Sequence, residues 1–277
     1  MSEVTPVYGI EATLEWPELQ VVPKVTIACK TDLGLVRENN EDKFEYFLPE
    51  DSARLAARGL LFVVCDGMGG HEAGQIASEL ASKRFIEGYM SNASPSAAVA
   101  LRDAVKSANR IVYDVATAIP SRRGMGTTLS ALALVQRSAW VAQVGDSRVY
   151  RLREGELEAL TTDHTWVQET VDSGAMTQEE AEAHPYRHML TRAIGTDRNV
   201  EPDVLEFDLL PGDVFLLCSD GLTNHVPENV IAERLGLEGV SDAFASLIQQ
   251  ALAGGGSDNA TALVVRVDSL ESIAGDA

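Results

Sequence analysis

The chain reads as an α+β domain, mainly antiparallel sheet with its helices packed outside. Three observations predict that class. Helical patterns arrive in groups rather than one after each strand, which argues against a doubly wound parallel sheet. The run LLFVVCD, Leu60 to Asp66, is apolar without alternation, as in a strand covered on both faces. A long meander of short strands with tight turns separates the early helices from the late ones. With 277 residues, 45% of them hydrophobic, the chain can bury a substantial core and is not a mainly disordered polymer.

Taken in order, the first 23 residues hold Pro6, Pro17 and Pro23 without a clear period, and are expected as an N-terminal extension with at most one strand. The domain is expected to span 24–268. KVTIACKTD reads as a strand, followed by the polar loop GLVRENNEDK and a short strand from Phe44 to Leu48. After LLFVVCD comes the turn GMGG. Ala73, Ile76, Ala77, Leu80, Ala81 and Phe85 then recur at helical spacing, as do Leu101, Ala104, Val105, Ala108, Ile111, Val112 and Val115 beyond a break at SNASPS. TTLSALALV, WVAQVGD, RVYRL and LEALT are strand runs, the last two joined by a hairpin at Glu154-Gly155-Glu156. Residues 163–190 are polar, with helical fragments around TQEEAEAH, and read as an insertion over a sheet edge. VLEFDL and VFLLCSD are strands, PENVIAERLG and SDAFASLIQQALAGG helices, and ATALVVRVD a closing strand. Residues 269–277 are expected as a frayed acidic tail.

Charge narrows the partners. Against 22 Lys and Arg stand 42 Asp and Glu, a net −20, which argues against unassisted nucleic-acid binding. A phosphorylated partner stays open if bound cations reverse the field locally. No apolar run has transmembrane length, and the first residues lack a basic stretch followed by an apolar one, so neither a membrane span nor a signal peptide is expected. Cys29, Cys65 and Cys218 are odd in number and without CxxC spacing. Buried thiols in a reducing cytoplasm fit them better than disulfides or a zinc site.

The informative feature is where aspartates meet apolar strands. Asp66 ends LLFVVC, Asp146 ends WVAQVG, Asp220 ends VFLLCS, and Asp258 precedes ATALVV. Any one of them could be a turn former or helix cap. Four together can converge on one edge of the core, where they repel unless protonated or neutralised by cations. Carboxylates, carbonyls and water are the ligand set for Mg²⁺ or Mn²⁺. Gly67, Gly69 and Gly70 would let backbone approach a ligand closely.

These segments resemble the metal-dependent serine/threonine protein phosphatases of type 2C, especially compact bacterial members. In family order the chain carries Asp32-x-Gly-x-x-Arg37-x-x-Asn40-Glu41-Asp42, Asp66-Gly-Met-Gly-Gly-His71, Gly126-Thr127-Thr128, Gly145-Asp146-Ser147-Arg148, Ser219-Asp220-Gly221-Leu222 and Asp258-Asn259-Ala260-Thr261. Leu160-Thr-Thr-Asp163-His164 and Leu190-Thr191-Arg192-Ala193-Ile194-Gly195 also look like the family, and the likeness runs from about Thr26 to Val267.

The resemblance implies a four-layer αββα sandwich, two packed antiparallel sheets flanked by helices. It implies two Mn²⁺ or Mg²⁺ ions and a third, weaker one. Asp66 would bridge two ions, Gly67 would offer its carbonyl to one, and Asp220 and Asp258 would complete the first ion's shell. Glu41 would support the second, with Asp42 in the nearby ligand or water shell. Asp146, with Asp220, would hold the third. Arg37 would grip the phosphate through its planar fork. A water between two cations has a depressed pKa and would attack phosphorus in line, with no phosphoenzyme. The activity implied is dephosphorylation of phosphoserine and phosphothreonine in targets of a serine/threonine kinase, a signalling role for a monomer. Residues 163–190 match the family's flap beside the active site.

One departure concerns the leaving group. Many eukaryotic relatives carry histidine directly after Asp-Gly, where this chain has Met68. His71 is a candidate proton donor, or else it braces the helix that follows. His164, His184, His188 and His225 are scattered, and no metal role is expected of them. Gln75 breaks a zincin-type HExxH at His71, and GMGGHEAG lacks the Lys of a P-loop. Two other readings compete with the protein phosphatase: a phosphoprotein-binding module without turnover, and the same chemistry on a small phosphoester.

Overall fold

Alternation along the strands sorts the buried side chains into three layers. Phe62, Val64, Leu132, Leu134 and Val141 meet Val149, Phe215, Leu217, Leu263 and Val265 in the central layer. The intervening residues Leu61, Val63 and Cys65 face one group of helices, and Leu216, Cys218 and Val264 face another. That two-sided burial is why these strands carry no polar alternation, and each such side chain contributes roughly 1.5–3 kcal/mol relative to exposure.

The computed structural model describes residues 16–70 and 72–273. It begins with β1 (Val21–Asp32), β2 (Lys43–Phe47), α1 (Ser52–Arg58), β3 (Leu60–Cys65), β4 (Gly67–Met68), α2 (Glu72–Met90) and α3 (Ala97–Ala118). A meander follows, of β5 (Gly126–Thr127), β6 (Leu129–Val135), β7 (Ser138–Val144), β8 (Arg148–Arg153) and β9 (Glu156–Ala159). Then come α4 (Trp166–Asp172), α5 (Gln178–Glu182), β10 (Asp203–Asp208) and β11 (Val214–Cys218). The last elements are α6 (Asp220–Thr223), α7 (Glu228–Leu235), α8 (Val240–Ala253) and β12 (Ala260–Ser272).

One sheet has the order β1-β12-β11-β8-β9 and the other β10-β7-β6-β3-β2, with β4 and β5 as a small ribbon. Every ladder in the two large sheets is antiparallel. Helices α2 and α3 cover the outer face of the second sheet, and α7 and α8 that of the first. The αββα sandwich expected from the sequence is therefore the fold. At the β8–β9 hairpin, Glu154 and Gly155 both take positive φ, 52° and 87°, matching the twist of the strands they join. Among the described residues no helix is long and apolar enough to cross a membrane.

Two boundaries differ from the sequence reading. The β1–β12 ladder pairs Val21 with Ser272 and Lys24 with Ser269. The last residues of the expected extension and the first of the expected tail thus lie in the sheet. A register shift between Lys24 and Val25, with Pro23 beside it, breaks the alternation that would have marked this stretch. Residues 1–15 and 274–277 lie outside the described residues. Helix α1 was not expected, since seven residues give too few turns for a period; the Asp51 side chain caps it by accepting from the Arg54 N–H.

Antiparallel pairing brings particular chain ends together. The C-termini of β1, β3, β7 and β11 and the N-termini of β2, β8 and β12 all emerge at one end of the sandwich. Each carboxylate singled out in the sequence is attached to one of those ends.

Candidate metal centre

The floor of the site is a carboxylate held without a counter-charge. Asp42, directly before β2, is fully buried. Its Oδ2 accepts from Ser219 Oγ at 2.7 Å and from Thr261 Oγ1 at 2.6 Å, so one hydroxyl comes from each of the strand ends beside it. Its Oδ1 is buried with no donor, and the carboxyl lies against that of Asp66. Burial first, then the charge of Asp220, pushes Asp42 up to about 7 against the hydroxyl hydrogen bonds.

Asp66 leaves the end of β3 into the same space. Its backbone is locked: the Asp66 N–H donates to Thr128 Oγ1 at 2.9 Å, while its carbonyl accepts from Thr127 Oγ1 and from the Thr128 N–H, both at 2.8 Å. Burial, and then the charges of Asp42, Asp220, Asp146 and Asp258, hold its carboxyl well above the usual carboxylate range. Asp146, in the turn between β7 and β8, is pushed up to about 7 by burial and then by Asp220. Asp220 opens α6 directly after β11. Burial raises it too, but hydrogen bonds led by His188 outweigh burial and leave it below its ordinary value.

Close backbone packing sets the second half of the site. The Glu41 carbonyl accepts from the Gly67 N–H at 3.2 Å, and the Glu41 N–H donates to Asn259 Oδ1 at 2.9 Å. Asn259 Nδ2 in turn donates to the Leu33 and Asn39 carbonyls at 2.9 and 3.0 Å, tying the loop that carries Arg37 to the start of β12. A Cβ at Gly67 would overlap the Gly74 carbonyl, and one at Gly74 would overlap Glu41 Oε2. Neither position has room for a side chain where α2 crosses the turn unless a neighbour shifts, the backbone at Gly67 and first of all the Glu41 carboxylate at Gly74. Arg37 is exposed and donates from Nη2 to Asp258 Oδ2 at 2.7 Å.

The structure thus brings Arg37, Glu41, Asp42, Asp66, Gly67, Asp146, Asp220 and Asp258 to one end of the sandwich. His71 lies outside the described residues. One residue joins the cluster that the sequence reading left outside it. His188, for which no metal role was expected, places Nδ1 3.3 Å from Asp220 Oδ2. Asp146, His188 and Asp220 each offer one ligand atom, all within 4.8 Å of one another. His188 stands 32 residues before Asp220 in a polar stretch, and nothing local marks it. Gly74, Ser219 and Thr261 were also given no role, although Ser219 and Thr261 stand in motifs that were recognised.

Oxygen donors in this number fit a hard divalent cation. A buried acceptor without a donor and carboxyls that raise one another's pKa are the conditions that a cation relieves. An arginine is hydrogen-bonded to the edge of this cluster through Asp258.

Comparison with known proteins agrees over most of the chain. The sequence profile of the family "Protein phosphatase 2C" matches residues 37–262. The chain belongs to the protein phosphatase 2C family. It is 39% identical over 240 residues to the serine/threonine protein phosphatase PstP of Mycobacterium tuberculosis, covering 87% of this chain and 44% of that protein. The match thus spans less than half of PstP. The serine/threonine phosphatase stp of Listeria monocytogenes is 36% identical over 244 residues, covering 86% of this chain and 94% of its own. Among solved structures, the catalytic domain of PstP in complex with two manganese ions superposes with a TM-score of 0.76 at 36% identity, covering 89% of this chain and 98% of that one.

Proposed function

We propose that this phosphatase 2C domain hydrolyses phosphoserine and phosphothreonine in proteins with the help of Mn²⁺ or Mg²⁺. The observation that carries the reading is the set of carboxylates from both sheets, with the donorless Asp42 Oδ1 beneath it and the Arg37 fork at its rim. Relatives named as serine/threonine phosphatases support the substrate class, and the two manganese ions in the PstP structure support the cofactor.

Asp66 would bridge two ions, with Asp220 and Asp258 on one and Glu41 and the Gly67 carbonyl on the other. Asp42 would brace Asp66 from below. Asp146 and Asp220, joined by His188, would hold a third ion. Cations there would acidify a water and offset charge on the phosphoryl oxygens. Arg37 grips two phosphoryl oxygens and leaves the face opposite the leaving group open. A single displacement follows: the bond from water oxygen to phosphorus forms as the bond to the seryl or threonyl oxygen breaks, and that oxygen ends protonated. Cys65 and Cys218 are buried in strands, and burial pushes their thiols far up, so neither is a nucleophile.

The test is phosphate release from matched phosphoserine, phosphothreonine and phosphotyrosine peptides and from a small aryl phosphate, with Mn²⁺, Mg²⁺ or EDTA. Metal-dependent release from the first two supports the reading. Peptide binding without release in any metal would replace it with a phosphoprotein-binding module, and release from the aryl phosphate alone would replace it with a small-molecule phosphatase.

A further inference from the structure

Behind Asp146 stands a chain of polar groups, running from a buried histidine out to the surface, that the proposed reaction does not use. His164, in the connection after β9, is buried, with its side chain 1% exposed. Its Nδ1 accepts from the Gly145 N–H at 3.2 Å. That donor fixes the tautomer: Nδ1 is bare, so Nε2 carries the proton and donates to Asp203 Oδ2 at 3.2 Å. Asp203 Oδ1 accepts from Arg192 Nη1 at 2.7 Å. The backbone doubles the tie, since the His164 N–H donates to the Gly145 carbonyl and the His164 carbonyl accepts from the Thr191 N–H, each at 2.9 Å.

Gly145 is the residue before Asp146, and its φ of 101° is one that side chains avoid. A Cβ there would meet Thr128 Cγ2 at 2.6 Å, so the turn packs closely on the residue that precedes β6. The imidazole thus holds the 144–145 peptide through the Gly145 N–H, while the 145–146 peptide is held at the Gly145 carbonyl by the His164 N–H and by Gln143 Nε2 at 3.0 Å. Thr165 and Leu190 form an isolated bridge beside this contact, so His164 sits where both roots of segment 163–190 meet the turn.

We infer that His164, oriented by Asp203 and Arg192, is a positioning residue that holds the Gly145–Asp146 turn in the geometry needed for the cation site formed by Asp146, His188 and Asp220. This rests on the third-ion reading given above. Groups that orient a metal ligand typically set affinity by ten- to a hundredfold. His164→Leu keeps the volume but removes the acceptor and strands the Gly145 N–H. His164→Asn can keep an acceptor near the Nδ1 position.

The experiment is Mn²⁺ binding to the full chain followed by the EPR signal of free Mn²⁺, with phosphate release and thermal melting on the same samples. In H164L the weak binding component should lose about tenfold in affinity, with the tight component unchanged and kcat recovering at high Mn²⁺. H164N should return to within about threefold of wild type. D203A, which leaves the imidazole but frees Nε2, should shift the weak component in the same direction; it serves as the test if H164L does not fold. A wild-type isotherm in H164L, or an equal loss in tight and weak components, overturns the positioning role. D146N separates the two claims. If D146N binds like wild type, the third site itself is wrong, whereas a shifted D146N beside an unshifted H164L refutes only His164.

Discussion

Arg37 Nη2 lies 2.7 Å from Asp258 Oδ2, so the guanidinium proposed to hold phosphate is seated on a carboxylate proposed to hold a cation. The pair is partly open to solvent, with Arg37 side-chain exposure of 52%, so its worth to folding is at most about 1 kcal/mol. Its value is position: the hydrogen bond seats the fork at the edge of the carboxylate cluster.

Replacing Arg37 with Ala should therefore cost function and not stability. Loss of a bidentate charged contact is expected to lower kcat/KM about a hundredfold, mainly through KM, with little change in melting temperature. Arg37→Lys should fall between, since it keeps the charge and loses the fork. Steady-state kinetics on a phosphothreonine peptide checks this, and an unchanged KM in R37A counts against the role.

Gly74 gives a sharper case. Alanine in a helix normally stabilises by up to about 1 kcal/mol over glycine, yet at this third residue of α2 the added Cβ would overlap Glu41 Oε2. G74A should stay folded and need roughly tenfold more Mn²⁺ for half-maximal activity. Wild-type activation in G74A would show that Glu41 is not needed where it sits.

Much of this architecture was legible. Asp66 and Asp220 could be found because each ends a run buried on both faces, where a charge has no reason to be unless something answers it. The sheets were readable for the same reason. Asp42 could be placed near the site but not weighed: that two hydroxyls from β11 and β12 close over it depends on which sheets meet. His188 was passed over because a lone histidine in a polar stretch says nothing about what it will touch, and only the return of segment 163–190 across the sheet ends brings it to Asp220. The ends of β1 and β12 were hidden by a shifted register beside a proline.

Stability of the metal-free protein should depend on pH in an unusual direction. Asp42 and Asp146 are raised from 3.8 to about 7, and Asp66 is raised as well, so the folded state binds more protons than the unfolded state between about 4 and 7. Stability is then highest near the unfolded pKa and lost as pH rises through the folded values. Denaturant midpoints in EDTA should be higher at pH 5 than at pH 8. Saturating Mn²⁺ should reverse the order, because cations favour the ionised carboxylates. A higher midpoint in EDTA at pH 8 would mean that the cluster is not strained.

His188 should matter to metal and not to folding. Its side chain is 43% exposed, so H188A is expected to leave the melting temperature within about 2 °C, as surface substitutions do. The same variant should weaken the third ion about tenfold. Activity measured across a Mn²⁺ series separates it from wild type only at low metal.

The central claim is that carboxylates from the two sheets form a cation centre bridged by Asp66. Calorimetric titration of the metal-stripped protein with Mn²⁺ tests it directly, beside Asp66→Asn. The wild type should bind at least two ions, and D66N should lose the tight binding while remaining folded. No binding to the wild type at millimolar Mn²⁺, or an unaltered isotherm in D66N, would contradict it.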